Sequence, residues 1–223
     1  MGDNKAFLFD MDGVLADSEN EWERLGYDTL LKEHFGEELF SNVEVRGGVS
    51  IKGIFDLFVE AGWKGDYSDF EKRNIEMGER IYATIPLTEG IEELIEYLAT
   101  EGFKVGVVSS SLLPWVNTLV GRIKTRDNIS LILSVNNHPT LRAKPAPDPY
   151  LHAMERLEVK PENTIILEDS STGVTAAKAS GARVICYTAY HLGHPWQPLP
   201  SHADYYAKNV AEVRSLVAKL TSK

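Results

Sequence analysis

Short apolar runs recur along the chain, and helix-forming segments lie between them. Runs of this kind are typical of buried parallel strands. Residues 91–99 carry apolar side chains at helical spacing, which predicts an amphipathic helix. Strands that alternate with helices indicate right-handed crossovers and a doubly wound parallel α/β sheet. The runs cover residues 6–9, 105–108, 164–167 and 184–187, with a shorter run at 131–133.

One stretch interrupts this alternation. From about residue 17 to residue 83 only helical periodicity is present, clearest in residues 51–59. Glycines at 47–48 and within 62–65 indicate turns, and Thr88 is a candidate N-cap where the core resumes. We therefore predict a helical domain inserted after the first strand. The predicted domains are an α/β core of residues 1–16 and 84–223 and a helical cap of residues 17–83.

Composition narrows the possible partners. Apolar residues make up 43% and charged residues 25% of the 223 residues, an ordinary globular balance. The net charge is −10, which argues against nucleic acid or an anionic membrane surface as a partner. The N-terminal residues lack a signal-peptide pattern, and no run approaches the roughly 20 apolar residues of a membrane span. We expect a cytoplasmic monomer.

The single cysteine, Cys186, gives little functional information. It lies within an apolar run, so we expect a small buried strand residue rather than a reactive thiol. One cysteine also excludes an internal disulfide and fits a reducing compartment.

Polar residues follow the ends of the predicted strands. In open α/β sheets, ligands bind outside the carboxyl ends of the strands. Side chains that follow different strands therefore converge at one edge of the sheet. The candidate site residues are Asp10, Asp12, Ser109, Ser110, Lys144, Glu168 and Asp169.

This set suits phosphoryl transfer. Asp10 and Asp169 supply the hard oxygen ligands that Mg²⁺ prefers. A metal beside a phosphate lets an anionic aspartate attack phosphorus. Asp12 could protonate the leaving alkoxide and later deprotonate water. Ser109 and nearby backbone N–H groups could hold phosphate oxygens, while Lys144 supplies a fixed positive charge.

Four segments resemble, in order, the motifs of the haloacid dehalogenase superfamily. They are FDMDGVL (9–15), VVSSS (107–111), KPAPD (144–148) and LEDS (167–170). The resemblance is to the capped subfamily I, and within it to the group of β-phosphoglucomutase-like and sugar-phosphate phosphatase proteins. It implies a Rossmann-like core, a helical cap, Mg²⁺ as cofactor and an aspartyl-phosphate intermediate.

The resemblance also implies residue roles. Asp10 would be the nucleophile, and Asp12 would be the acid and base, with its backbone carbonyl on the metal. The implied metal set is Asp10, Asp12, Glu168 and Asp169, and the implied phosphate set is Ser109, Ser110 and Lys144. Some alternatives stay open at this point. Glu168 either binds the metal or supports it, while Ser110 and Ser111 either bind phosphate or cap the next helix.

Two departures favour a phosphatase over a mutase. The mutase has an arginine after its Gly-Val-Ser loop, where this chain has Ile51, and a histidine where this chain has Trp22. We therefore expect hydrolysis of a small phosphate ester, in particular a sugar or polyol phosphate. The alternatives are an intramolecular phosphotransferase and a non-catalytic phosphate-binding regulatory module. Candidate specificity residues are Trp22, Arg46, Gly48, Val49, Ser50 and Lys52.

Three other side chains have competing interpretations. Trp22 is either a substrate platform or part of the core of the cap. His191 and His194 could suggest a metal pair, but a surface loop is the favoured interpretation because no third ligand is apparent.

Overall fold

The computed structural model describes residues 4–45, 50–136, 138–191 and 199–222. The chain divides into two compact units. One unit holds the chain up to Asp17 and from Pro86 onward, and the other is Ser18–Ile85. The second unit is therefore a single insertion in the first.

The first unit is built on a parallel sheet. Within the described residues it has six strands in the order β3-β2-β1-β4-β5-β6, and every paired neighbour is parallel. The predicted doubly wound α/β fold is confirmed. The strands are β1 (Lys5–Phe9), β2 (Phe103–Ser109), β3 (Ile129–Ser134), β4 (Thr164–Glu168), β5 (Arg183–Tyr187) and β6 (Tyr205–Ala207).

Helices occupy the segments between the strands. The second unit contains α1 (Ser18–Arg24), α2 (Tyr27–Phe35), α3 (Glu37–Phe40), α4 (Ile51–Glu60) and α5 (Tyr67–Thr84). The first unit contains α6 (Ile91–Thr100), α7 (Leu113–Val120), α8 (Asp148–Leu157), α9 (Ser171–Ala179) and α10 (Val210–Thr221).

Strand β1 lies inside the sheet and is covered on both faces. Ala6 and Leu8 belong to a buried cluster with residues of α8 and α9. Phe7 and Phe9 alternate with them and therefore face the other way; the Phe7 ring contacts Phe103 edge to face, with centroids 6.4 Å apart. Burial on both faces explains why this strand is a continuous apolar run.

The helical unit has an aromatic core of its own. Phe35 of α2 and Phe58 of α4 stack with ring centroids 3.8 Å apart and planes 3° apart. Phe70 of α5 packs 4.8 Å from Phe35. Ile54, Phe55 and Phe58 of the apolar stripe predicted within residues 51–59 therefore form the buried face of α4, whereas Val59 at its end is exposed.

The structure corrects the predicted role of Thr88. Helix α6 begins at Ile91 and its N-cap is Gly90, with φ of 80°. Thr88 lies too early to cap it, and its hydroxyl instead donates to the Val14 carbonyl at 2.7 Å. Strand β6 is absent from the prediction, because it has only three residues, of which only Ala207 is buried, and carries no apolar run.

Cys186 is buried in β5, as predicted from its apolar context. Burial, followed by the nearby carboxylates Asp169 and Glu168, raises the pKa of its thiol to about 12. The thiol is therefore protonated and unreactive at neutral pH. Among the described residues, no helix is both long and apolar enough to cross a membrane.

Replacement of Phe58 tests the core of the helical unit. Phe58→Ala removes a fully buried ring, and we expect a loss of about 3–5 kcal/mol in the free energy of unfolding. Val59→Ala on the same helix is the control; Val59 is 43% exposed, so its replacement should cost within about 0.5 kcal/mol. Urea unfolding of both variants measures the difference, and comparable losses would contradict the assignment of Phe58 to the core.

Candidate active site

The strand order determines where a site can form. The chain places β2 on one side of β1 and β4 on the other, so the order of connection reverses between β1 and β4. Ligands of open α/β sheets bind outside the carboxyl ends of the strands at such a point. Asp10 follows β1, and its N–H donates to the Leu167 carbonyl of β4 at 2.9 Å. Asp169 directly follows β4, so the two carboxylates lie at adjacent strand ends.

A buried lysine joins these strand ends. The Lys144 Nζ atom donates to Asp10 Oδ1 and to Glu168 Oε1, both at 2.6 Å, and to the Val108 carbonyl at 3.3 Å. Its side chain is only 6% exposed, so the ammonium group is held inside the protein between two carboxylates. The loop before α8 therefore brings Lys144 to the carboxyl ends of β1 and β4.

Burial and neighbouring charges shift the pKa values of this group. Burial, together with the Glu168 and Asp12 carboxylates, raises the pKa of Asp10 to about 8, although Lys144 acts in the opposite direction. Burial alone would lower the pKa of Lys144, but Asp10 and Glu168 raise it well above its ordinary value. The lysine therefore stays positively charged, and a cation bound beside Asp10 would favour the carboxylate form of Asp10.

Three carboxylates lie close enough to share an ion. Asp10, Glu168 and Asp169 each offer an oxygen atom, and these atoms lie within 4.8 Å of one another. All three residues are buried. Carboxylate oxygens grouped in this way are the donors that a hard divalent cation prefers, so these residues fit Mg²⁺.

Besides its place among the three carboxylates, Glu168 accepts several hydrogen bonds. Its Oε1 atom accepts from Lys144 and from the Tyr150 hydroxyl at 2.7 Å. Its Oε2 atom accepts from the Asp169 N–H at 3.0 Å and from the N–H and hydroxyl of Ser170 at 3.3 and 3.2 Å. Glu168 is fully buried, and these donors satisfy both of its oxygen atoms and hold it beside Lys144.

Tyr150 also belongs to this group, although no sequence pattern identifies it. Tyr150 is fully buried in the first turn of α8. The Lys144 ammonium lies 5.0 Å from the centroid of its ring, and both residues donate to Glu168. An aromatic residue at the start of an amphipathic helix resembles ordinary core. Its hydroxyl bond to Glu168 depends on the packing of α8 against the sheet, which no local pattern shows.

Asp12 is held by a residue outside the predicted set. The Ser111 hydroxyl donates to Asp12 Oδ2 at 2.7 Å, and the Ser111 N–H donates to Ser109 Oγ at 3.0 Å. Ser109 is fully buried, whereas Ser110 is exposed. Neither Ser110 nor Ser111 caps α7, because the N-cap of that helix is Leu112.

Two glycines make room for the acidic residues. A Cβ atom on Gly13, whose φ is 72°, would lie 2.1 Å from Asp169 Oδ2. A Cβ atom on Gly173 would lie 1.8 Å from Glu168 Oε1. Any side chain at either position would displace a carboxylate of the site.

His191 contacts the site through the main chain. Its Nε2–H donates to the Asp169 carbonyl at 2.6 Å, and the residue is partly buried. This bond supports the turn that carries Asp169. The suggested partner His194 lies outside the described residues.

The candidate specificity residues are in the helical unit, and the structure describes half of them. Arg46, Gly48 and Val49 lie outside the described residues. Ser50 is the N-cap of α4, where its side chain accepts from the Gly53 N–H at 3.0 Å. Lys52 is exposed and pairs with Asp56 on the same helix.

Trp22, the remaining candidate, belongs to the edge of the aromatic core. It is partly buried on α1 and packs edge to face with Tyr27, with ring centroids 5.2 Å apart. Of its two interpretations, the packing within the helical unit favours the structural one.

Comparison with known proteins agrees with the motifs. The family model described as haloacid dehalogenase-like hydrolase matches residues 7–187, which include all four motifs. The chain belongs to the haloacid dehalogenase-like hydrolases. The family that the sequence pattern predicts is thereby confirmed.

Relatives within this family include named phosphatases. The chain is 30% identical to hexitol phosphatase B of Escherichia coli (strain K12), over 82% of this chain and 83% of that protein. It is 25% identical to a phosphoglycolate phosphatase of Nitrosococcus oceani, over 95% and 96% of the two chains. A solved structure of a CbbY mutant from Rhodobacter sphaeroides in complex with xylulose-(1,5)bisphosphate is similar with a TM-score of 0.71 and 27% identity, covering 94% and 96%.

The close approach at Gly13 gives a test of the site's packing. Gly102→Ala is a matched control, because Gly102 has φ of 78° and its Cβ would meet no described atom within 4 Å. Both replacements should lose about 1–2 kcal/mol through left-handed strain. Gly13→Ala should lose about 1–3 kcal/mol more, because the new methyl group displaces the Asp169 carboxylate. Urea unfolding measures both losses, and equal values would contradict the packing described here.

Proposed function

We propose that this protein is a Mg²⁺-dependent phosphatase that hydrolyses a small sugar or polyol phosphate through an aspartyl-phosphate on Asp10. The observation that carries the proposal is the buried Lys144 ammonium between Asp10 and Glu168, with Asp169 beside them at the carboxyl ends of β1 and β4. This arrangement supplies a carboxylate nucleophile and a fixed positive charge in one place.

Asp10, Asp169 and Glu168 would hold the metal, together with the backbone carbonyl of Asp12. When bound, Mg²⁺ neutralises charge on the phosphate and so lets an anionic carboxylate approach it. Lys144 keeps its charge throughout, because two carboxylates surround it. Ser109, Ser110 and nearby backbone N–H groups would hold the phosphate oxygens with Lys144.

The reaction has two steps. A carboxylate oxygen of Asp10 attacks phosphorus, the bond from phosphorus to the ester oxygen breaks, and Asp12 protonates the leaving alkoxide. In the second step Asp12 takes a proton from water, and the oxygen of that water attacks the phosphorus of the aspartyl-phosphate. The bond between phosphorus and the Asp10 oxygen then breaks, which releases inorganic phosphate and restores the carboxylate.

The substrate class is supported by the names of the relatives. One acts on hexitol phosphates by name, and another was solved with a sugar bisphosphate. Residues 17–83 would form the cap that selects the substrate, through Arg46, Gly48, Val49, Ser50 and Lys52. Ile51 opens α4 and packs against the aromatic core of the helical unit. An apolar side chain there cannot grip a second phosphate, which favours hydrolysis over transfer.

Replacement of the nucleophile tests the proposal. Asp10→Asn should lower phosphate release from sugar and polyol phosphates by about 10³-fold or more, because an amide oxygen does not form the phosphoenzyme. The matched control is Asp127→Asn, the same exchange at an exposed position of the α/β unit, which should leave the rate unchanged. Released phosphate is measured with Mg²⁺ present, and again after chelation with EDTA, which should also abolish activity.

The same assay separates the alternatives. Conversion of β-glucose 1-phosphate to an isomer, with its phosphate retained, would show an intramolecular phosphotransferase instead. No turnover of any phosphate ester, in a protein that still binds phosphate, would show a regulatory module. Phosphate release that survives Asp10→Asn would exclude Asp10 as the nucleophile.

A further inference from the structure

Ser111 has a place in the site that the proposed roles do not use. We propose that Ser111 is a positioning residue that orients Asp12 for proton transfer to the leaving alcohol. This inference rests on the proposed function, in which Asp12 is the acid of the first step. It concerns how Asp12 is held rather than which reaction occurs.

All three polar groups of the Ser111 backbone and side chain are engaged. The N–H donates to Ser109 Oγ at 3.0 Å, and the carbonyl accepts from Ser134 Oγ at 2.7 Å. The hydroxyl donates to Asp12 Oδ2 at 2.7 Å. Ser111 therefore connects Asp12 to two other serines.

Those two serines are rigidly placed. Ser109 and Ser134 are paired partners at the ends of β2 and β3, and they are 0% and 5% exposed. The Val135 N–H also donates to the Ser109 carbonyl at 2.8 Å. The position of Ser111 is thus set by two neighbouring strand ends, and Ser111 in turn aims one oxygen of Asp12.

The direction of this hydrogen bond has a chemical consequence. A serine hydroxyl that donates to Oδ2 requires that oxygen to be an acceptor. Ser111 therefore holds Oδ2 and fixes the plane of the Asp12 carboxyl group. A fixed carboxyl plane is what a general acid needs, because proton transfer depends on the geometry towards the leaving oxygen.

The leaving group offers a way to isolate this role. The alkoxide of a sugar or polyol needs a proton to depart, whereas the nitrophenolate of p-nitrophenyl phosphate does not. The ratio kcat/KM reports the steps up to release of the alcohol, so it excludes the later hydrolysis of the phosphoenzyme. A residue that only stabilises the fold would affect both substrates equally.

The experiment measures kcat/KM of Ser111→Ala on a polyol phosphate and on p-nitrophenyl phosphate. We expect a fall of about 10- to 100-fold for the polyol phosphate, the size expected for one lost hydrogen bond to a carboxylate. The value for p-nitrophenyl phosphate should stay unchanged. Ser111→Thr keeps a hydroxyl and should restore most of the loss, and Ser130→Ala, at an exposed serine of β3, should change neither value.

Asp12→Asn and Asp10→Asn separate a failure of this inference from a failure of the proposed function. Asp12→Asn should show the same dependence of kcat/KM on the leaving group. Asp10→Asn should lose activity on both substrates. Suppose that Asp12→Asn shows the dependence on the leaving group, but Ser111→Ala lowers kcat/KM equally for both substrates, or for neither. Ser111 then does not position the acid. If Asp12→Asn itself shows no dependence, or Asp10→Asn stays active, the proposed roles of the aspartates are wrong.

Discussion

The burial of Lys144 between Asp10 and Glu168 is the interaction on which the rest of the site depends. Removing one partner from a buried ion pair typically costs several kcal/mol, because the other charge is left uncompensated. Each member therefore constrains the others. Tyr150 and the N–H groups after β4 supply further hydrogen bonds to Glu168, which hold that side chain beside Lys144. Burial is the largest cause that raises the pKa of Asp10 to about 8, so a bound cation would favour its charged form.

This charge arrangement explains features that lie outside the chemistry itself. The parallel sheet brings the ends of β1, β2 and β4 together, so groups far apart in the chain can meet without long loops. Gly13 and Gly173 allow the backbone to approach the carboxylates closely. Fold and site are thus connected through packing: a methyl group at either glycine would move a carboxylate, and a moved carboxylate would leave Lys144 less well paired.

Some elements could be predicted from local patterns and others could not. Strand β1 and helix α4 carry clear periodicity, because each buries a defined face. Strand β6 has three residues, of which only Ala207 is buried, and depends on its pairing with β5. Thr88 looks like a cap, but Gly90 has that position and Thr88 bonds to the Val14 carbonyl instead. Capping preference is local, and here a contact distant in sequence outweighs it.

The sequence was sufficient for the family and the doubly wound α/β fold class, and it supplied the candidate site residues, because strand-end positions and their side chains are encoded in short contiguous segments. Whether those side chains meet, and which of them hold the others, was decided by tertiary structure. Tyr150 reaches Glu168 through the packing of α8, and Ser111 reaches Asp12 across 99 positions of the chain. Such bonds join residues that are far apart in sequence, so no local pattern of polar and apolar positions can specify them.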